Sequence, residues 1–218
     1  MRRVKPDLIF YRVVRFITVT VLSQLWFRMT FEGRENIPRS GAYVVAPVHR
    51  SNVDTLIVGG LTTRRLRYMG KDSLWETRFF GALFSSLGAF PVHRGSADRE
   101  ALRRCIEVLQ GGEPLVIFPE GTRQSGPVIQ PLFEGAAYVA AKAGVPIVPV
   151  GIGGSEAAMP KGAKMIRPVK VHVVVGRPLQ PPGGEGRAPR AAVHQMTEDL
   201  SAELQRLFDR ARTRTGSA

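Results

Sequence analysis

The sequence contains a single cysteine, Cys105, in 218 residues. That excludes an intramolecular disulfide and any multi-cysteine zinc site, and it suits a reducing compartment. Acidic residues are also scarce: 18 Asp and Glu stand against 31 Lys and Arg, a formal charge of +13. Such a balance favours a polyanionic partner, a class that comprises nucleic acid, anionic membrane surfaces and phosphorylated substrates. Zinc-finger spacing, an RNP signature and basic-aromatic interleaving are all missing, so nothing specific favours nucleic acid. What is present is ordinary: 44% hydrophobic and 22% charged residues, enough for one domain with a continuous core. No repeat at solenoid or propeller periods occurs.

The amino terminus lacks a run able to span a bilayer. Residues 8 to 27 are largely apolar, but Arg12, Arg15, Ser23 and Gln24 interrupt them, and the longest charge-free run there, Phe16 to Phe27, has 12 residues. A span needs about 20. A small-residue cleavage site is missing too, since Trp26-Phe27-Arg28-Met29 follows the apolar stretch. At 100° per residue Phe10, Val14, Ile17, Val21 and Leu25 share one face, with Lys5, Arg12 and Arg15 opposite. This pattern predicts an amphipathic helix lying in a membrane interface, with Trp26 and Phe27 at the belt and Arg2, Arg3, Lys5, Arg12, Arg15 and Arg28 against anionic headgroups. Packing of the same helix on the domain is the alternative. We therefore expect an interfacial segment over residues 1–30 and one catalytic domain over 31–218.

From residue 42 onward short apolar runs alternate with helix-like stretches, which predicts an α/β domain with a largely parallel or mixed sheet flanked by helices. Strands are expected at 42–48, 66–69, 89–93, 115–119, 146–152 and 169–175. Helices are expected from 54, with Ser51 or Asn52 as cap, and at 72–87, 97–110, 134–143 and 188–212. Residues 180–190 form a Pro-Gly-rich connector.

Two constellations follow strands directly. His49 and Asp54 stand five apart in HRSNVD, where a carboxylate reaching back to one imidazole nitrogen would fix the tautomer and leave the other as a general base. The spacing alone also fits a core histidine and an aspartate that merely complements a helix dipole. Phe118-Pro119-Glu120-Gly121-Thr122-Arg123 places a tight turn beside a planar cationic fork suited to phosphate. In the stretch between them lie Lys71, in Gly70-Lys71-Asp72-Ser73-Leu74, and Arg94, at the end of an expected strand and before a glycine, where it is another phosphate candidate. His93, His172 and His194 have no comparable setting, with His172 expected on a half-exposed strand. Cys105 falls with Leu102, Ile106 and Leu109 on an apolar helix face, as a buried thiol would.

Together and in this order, HRSNVD (49–54), GKDSLWETRFFGALFSSLGAFPVHRG (70–95), FPEGTRQ (118–124) and VPIVPVGIGG (145–154) resemble the glycerolipid acyltransferase family that includes the 1-acylglycerol-3-phosphate O-acyltransferases. One departure is Val48, where that family frequently carries Asn; a hydrogen bond from that Asn must be absent or replaced. The resemblance implies transfer of a fatty acyl group from acyl-CoA or acyl-ACP to a glycerolipid hydroxyl, with lysophosphatidic acid as acceptor. Glycerol-3-phosphate or another lysophospholipid is the alternative acceptor, and a thioester hydrolase or a nucleic-acid binder the more distant reading. It further implies His49 as base, Asp54 as its orienter, and Glu120, Gly121, Thr122, Arg123, Arg94 and Lys71 around the acceptor. Arg94 and Arg123 would hold phosphate, and Glu120 a hydroxyl or an arginine. Backbone amides near Gly121 or after His49 are the oxyanion candidates. A covalent route through Ser51 would need a second base, and no GxSxG elbow is present. Neither a cofactor nor a metal is expected, and the enzyme is expected at the cytoplasmic face of the cell membrane, peripheral or monotopic.

Overall fold

Val44 and Val45 are β-branched and buried on both faces, which suits a strand at the centre of a parallel sheet. They begin β2 (Val44–Pro47) in a computed structural model that describes residues 26–92, 99–160, 163, 165–182 and 189–216, with Val13 and Phe16. The helix expected over residues 8 to 27 lies outside the described residues apart from Val13, Phe16, Trp26 and Phe27, and so do His93 and Arg94. The other strands are β1 (Thr30–Glu32), β3 (Arg67–Lys71), β4 (Ala89–Val92), β5 (Leu115–Val116), β6 (Ile147–Gly153) and β7 (His172–Val175). Helices α1 (Asp54–Gly59), α2 (Arg78–Ser86), α3 (Arg99–Gln110), α4 (Gly135–Ala143), α5 (Ser155–Ala158) and α6 (Arg190–Thr215) flank them.

The seven strands run in the order β1-β7-β6-β2-β5-β3-β4. All neighbours are parallel except β6 and β7, so the sheet is mixed and the domain α/β, as expected. Since β2, β3, β4, β5 and β6 share one direction, the segments that follow them emerge at one edge. Three of the four sequence blocks place their polar residues there. This is the crevice where open α/β sheets bind ligands. β1 starts at that same edge: Thr30 pairs with His172, and His172 with Gly153 at the end of β6. The strand β1 therefore begins on the side where those polar residues lie.

The fourth block has a packing explanation. A Cβ on Gly151 would lie 2.4 Å from the Leu207 carbonyl carbon, and one on Gly153 2.4 Å from that of Ala211. Two strand residues advance about 6.6 Å and four helical residues about 6 Å, so successive close approaches stay in register. The helix α6 lies backbone to backbone on β6, with Val193, Met196, Leu200, Leu204 and Phe208 buried at helical spacing.

Several expectations need correction. Strand β1 was not anticipated; three residues carry no period. The expected strand 115–119 pairs only over Leu115–Val116 before the chain turns. Neither Ser51 nor Asn52 caps α1; the Ser51 hydroxyl instead donates to the Met159 carbonyl at 3.0 Å. His172 is buried rather than half-exposed, because β7 lies between β1 and β6. Its Nδ1 shares a 2.6 Å hydrogen bond with Thr30 Oγ1, and Glu32, 3.8 Å from Nε2, is held by Arg210 of α6. Cys105 is buried as expected, and burial pushes its thiol up to about 12.

Burial holds the His172 imidazole below its usual 6.5, against the opposing pull of Glu32. The neutral ring therefore contributes stability that is present above pH 6.5 and lost as pH falls through the depressed value. Urea midpoints between pH 7.5 and 5 should fall further for the wild type than for His172→Asn; equal slopes would show that the ring plays no part.

Candidate active site

The strand β2 ends at Pro47, and Val48 leads into a turn that begins with His49. His49 Nδ1 lies 3.1 Å from Asp54 Oδ2. An ionised carboxylate only accepts, so Nδ1 carries the proton and donates it. Asp54 is fully buried, and its Oδ2 also accepts the backbone N–H groups of Arg50 and Ser51, each at 2.7 Å. Three donors thus fix one oxygen, while Oδ1 has no partner among the described residues. The imidazole is stacked on Phe118, with ring centroids 4.0 Å apart and planes 26° from parallel. Its side chain is 17% exposed, and no described residue bonds Nε2. One nitrogen is anchored and the other is open, the disposition of a general base.

The turn after β5 meets the turn after β2 directly. Gln124 N–H donates to the His49 carbonyl at 2.9 Å, and His49 N–H to Glu120 Oε1 at 3.2 Å. Glu120 is 2% exposed and accepts Arg50 Nη1 through both oxygens, at 2.7 and 2.9 Å. The expectation that Glu120 contacts an acceptor hydroxyl is therefore corrected, because both of its oxygens are enclosed and engaged. Its other expected role, positioning an arginine, is the one seen, and the arginine is Arg50. No role for Arg50 followed from the sequence: a charged residue is taken as exposed unless paired, and its partner lies 70 residues away.

The remaining expected residues divide clearly. Gly121 has φ +72, and Phe133 lies over it so closely that a Cβ would meet the ring at 2.6 Å. The Gly121 and Thr122 amides are spent on the Phe118 and Glu120 carbonyls, and those of Arg50 and Ser51 on Asp54, so none of these four is a free oxyanion donor. Thr122 is exposed, and its Oγ1 accepts from Gln124 Nε2. Arg123 is half-buried and makes no hydrogen bond or ion pair among the described residues. Lys71 closes β3 at the same edge. Arg94 lies outside the described residues, two positions beyond the end of β4. Val48 replaces the frequent Asn with a fully buried apolar side chain, and the neighbouring His49 amide is satisfied by Glu120. Ser51 is buried with its hydroxyl committed, and among the described residues no group of side chains could hold a metal ion.

The family model described as Acyltransferase matches residues 28–153. A 1-acyl-sn-glycerol-3-phosphate acyltransferase of Bacillus subtilis is 29% identical over 175 residues, which cover 80% of this chain and 85% of that protein. Its counterpart in Chlamydomonas reinhardtii is 31% identical over 185 residues, 82% of this chain but 55% of that longer protein. The crystal structure of the 1-acyl-sn-glycerophosphate (LPA) acyltransferase of Thermotoga maritima superposes with a TM-score of 0.77 at 25% identity, covering 94% of this chain and 83% of that one.

Removing Glu120 would leave the Arg50 guanidinium buried and uncompensated, a loss worth about 3–5 kcal/mol. Glu120→Ala should lower the unfolding free energy by that order in urea titration; a change within about 0.5 kcal/mol, the range of an ordinary surface substitution, would show that the pair is not buried in solution.

Proposed function

The chain belongs to the acyltransferase family, and from that premise we propose that it transfers a fatty acyl group from acyl-CoA or acyl-ACP to the free hydroxyl of lysophosphatidic acid, giving phosphatidic acid. The observation that carries this reading is His49, anchored at Nδ1 by buried Asp54 and open at Nε2. The relatives are named for this acceptor, and Arg123 in the adjoining turn, without a partner among the described residues, suits its phosphate.

In the proposed reaction Nε2 takes the acceptor hydroxyl proton as that oxygen attacks the thioester carbonyl carbon. Asp54 stabilises the imidazolium that forms. Collapse of the tetrahedral intermediate forms the ester and breaks the carbon–sulfur bond, and the imidazolium returns its proton to the thiolate. The commitment of Ser51 to Met159 favours direct transfer over an acyl-enzyme. Arg123, with Lys71 and Arg94, would hold the phosphate, and no cofactor beyond the acyl carrier is needed.

We place the enzyme at the cytoplasmic face of the cell membrane, held peripherally or monotopically by residues 1 to 28. The acyl chains of acceptor and product then stay in the bilayer while the glycerol enters the site. Supporting this are the entry of β1 at the catalytic edge and exposed Trp26, Phe79, Phe133 and Met165. Among the described residues no helix is long and apolar enough to cross a membrane. Phe27, expected with Trp26 at the interface, instead lies in the domain core at 1% exposure, so a clean truncation must stop short of it.

His49→Ala should lose about 10²–10⁴-fold in transfer with its melting unchanged, in an assay that crosses acyl-CoA and acyl-ACP with lysophosphatidic acid, glycerol-3-phosphate and water. Arg123→Ala should chiefly weaken use of the phosphorylated acceptor. A His49 variant within a few-fold of wild type, or thioester loss without any acceptor, would defeat the reading.

Deleting residues 1–25 should release the folded protein from vesicles of phosphatidylcholine and phosphatidylglycerol in a sedimentation assay. The segment 1–28 carries six basic residues and one acidic, and each basic residue near an anionic surface contributes about 1 kcal/mol. Undiminished binding by the truncated protein would remove the anchor from residues 1 to 25.

A further inference from the structure

Arg50 is the most heavily engaged side chain beside the site, and the acyl-transfer chemistry above assigns it nothing. Resting on that reading, the geometry points to Arg50 as a positioning residue: with Glu120 it fixes the backbone on both sides of the His49 imidazole, and through Phe208 it ties the base to the carboxy-terminal helix α6.

The hydrogen bonds specify how. His49 N–H donates to Glu120 Oε1 at 3.2 Å, and the His49 carbonyl accepts Arg50 Nη1 at 3.2 Å. Both backbone polar groups of His49, in the two peptide units that flank its Cα, are thus bonded to one ion pair. The same guanidinium donates through Nε to the Gly126 carbonyl at 3.2 Å and through Nη2 to the Val128 carbonyl at 3.1 Å. Its plane lies over the Phe208 ring, 4.8 Å from the centroid. Gln205, one helical turn before Asp209, receives Ile129 N–H at 2.8 Å and donates to the Pro127 carbonyl at 3.0 Å. The helix therefore grips the 126–129 loop from outside while Arg50 grips it from within. Neither Gln205 nor Phe208 lies in the segment that matches the family model, which ends at residue 153.

A planar fork is required for this arrangement. Lysine keeps the charge but supplies a single ammonium, which cannot meet Glu120, Gly126 and Val128 together. The ion pair would survive in part, and the clamp on His49 would not. Small displacements of a base are costly, since a 1 Å misplacement from groups outside the chemistry can cost about 10²-fold.

Arg50→Lys is the test, with Phe208→Leu as a second variant that leaves the ion pair intact. Each is assayed for kcat and KM with saturating thioester and lysophosphatidic acid, and the native fraction is measured by circular dichroism at the assay temperature. The expected result for Arg50→Lys is a kcat per folded enzyme lower by about 10-fold to 10²-fold, with KM for both substrates within about threefold; Phe208→Leu should show a smaller loss of the same kind. A readout independent of turnover is the Nδ1 proton of His49 in ring-labelled protein, assigned among four histidines by its loss in His49→Ala. In Arg50→Lys that proton should exchange faster with water while the amide spectrum stays native. Turnover per folded enzyme within twofold of wild type in the variants that fold, or a fall in kcat matched by loss of native protein, would overturn the proposal. If His49→Ala also retained activity, the functional reading would fail with it; if His49→Ala were inactive, only the role of Arg50 would fall.

Discussion

Two ionised side chains that are each 2% exposed must satisfy nearly every donor and acceptor between them, because an unpaired charge at that depth costs several kcal/mol. Arg50 and Glu120 meet this condition by drawing in the backbone around them: both sides of His49, the carbonyls of Gly126 and Val128 and the amide of Gln130. Turns that are 70 residues apart in the chain become one unit as a result. The position of the imidazole follows from that unit, and so does the path of the loop against α6. A hydrophobic pair of equal volume could fill the space, but it would not fix these peptide groups.

The parallel core was legible because buried strands read as continuous apolar runs, and β2 and β6 are such runs. The candidate residues stood out because His49 and Asp54 follow the run of β2, and Glu120 and Arg123 follow that of β5. What escaped was decided by partners remote in sequence. The pairing of Thr30 with His172 spans 142 residues, and three residues hold no period from which to infer it. The alternation around His172 suggested a face open to water because nothing in the local sequence shows that β1 lies alongside. Ser51 looked like a helix cap, yet its hydroxyl donates to the Met159 carbonyl, 108 residues away. Glycines 151 and 153 read as part of a motif, and only the position of α6 shows the steric reason for them.

Charge at the edge where β2 and β5 end is divided by commitment. Arg50 is saturated with internal partners, so its donors are unavailable to a ligand. Arg123, half-buried in the adjoining turn, has none among the described residues. Recognition of a phosphate needs donors that are positioned yet unspent, a condition that Arg50 does not meet. The high net positive charge of the sequence concealed this difference, because a sum over residues does not distinguish a cation enclosed by carbonyls from one without such partners among the described residues.

Strand β1 has a consequence for how the polypeptide is made. It is the first described strand to leave the ribosome, and its partner β7 follows 142 residues later. At about 5–20 residues per second, that delay is roughly 7 to 28 s. Pairings of such long sequence separation are intrinsically slow even in a finished chain. The apolar and basic residues ahead of β1 are synthesised earlier still, well before the sheet that follows them can close.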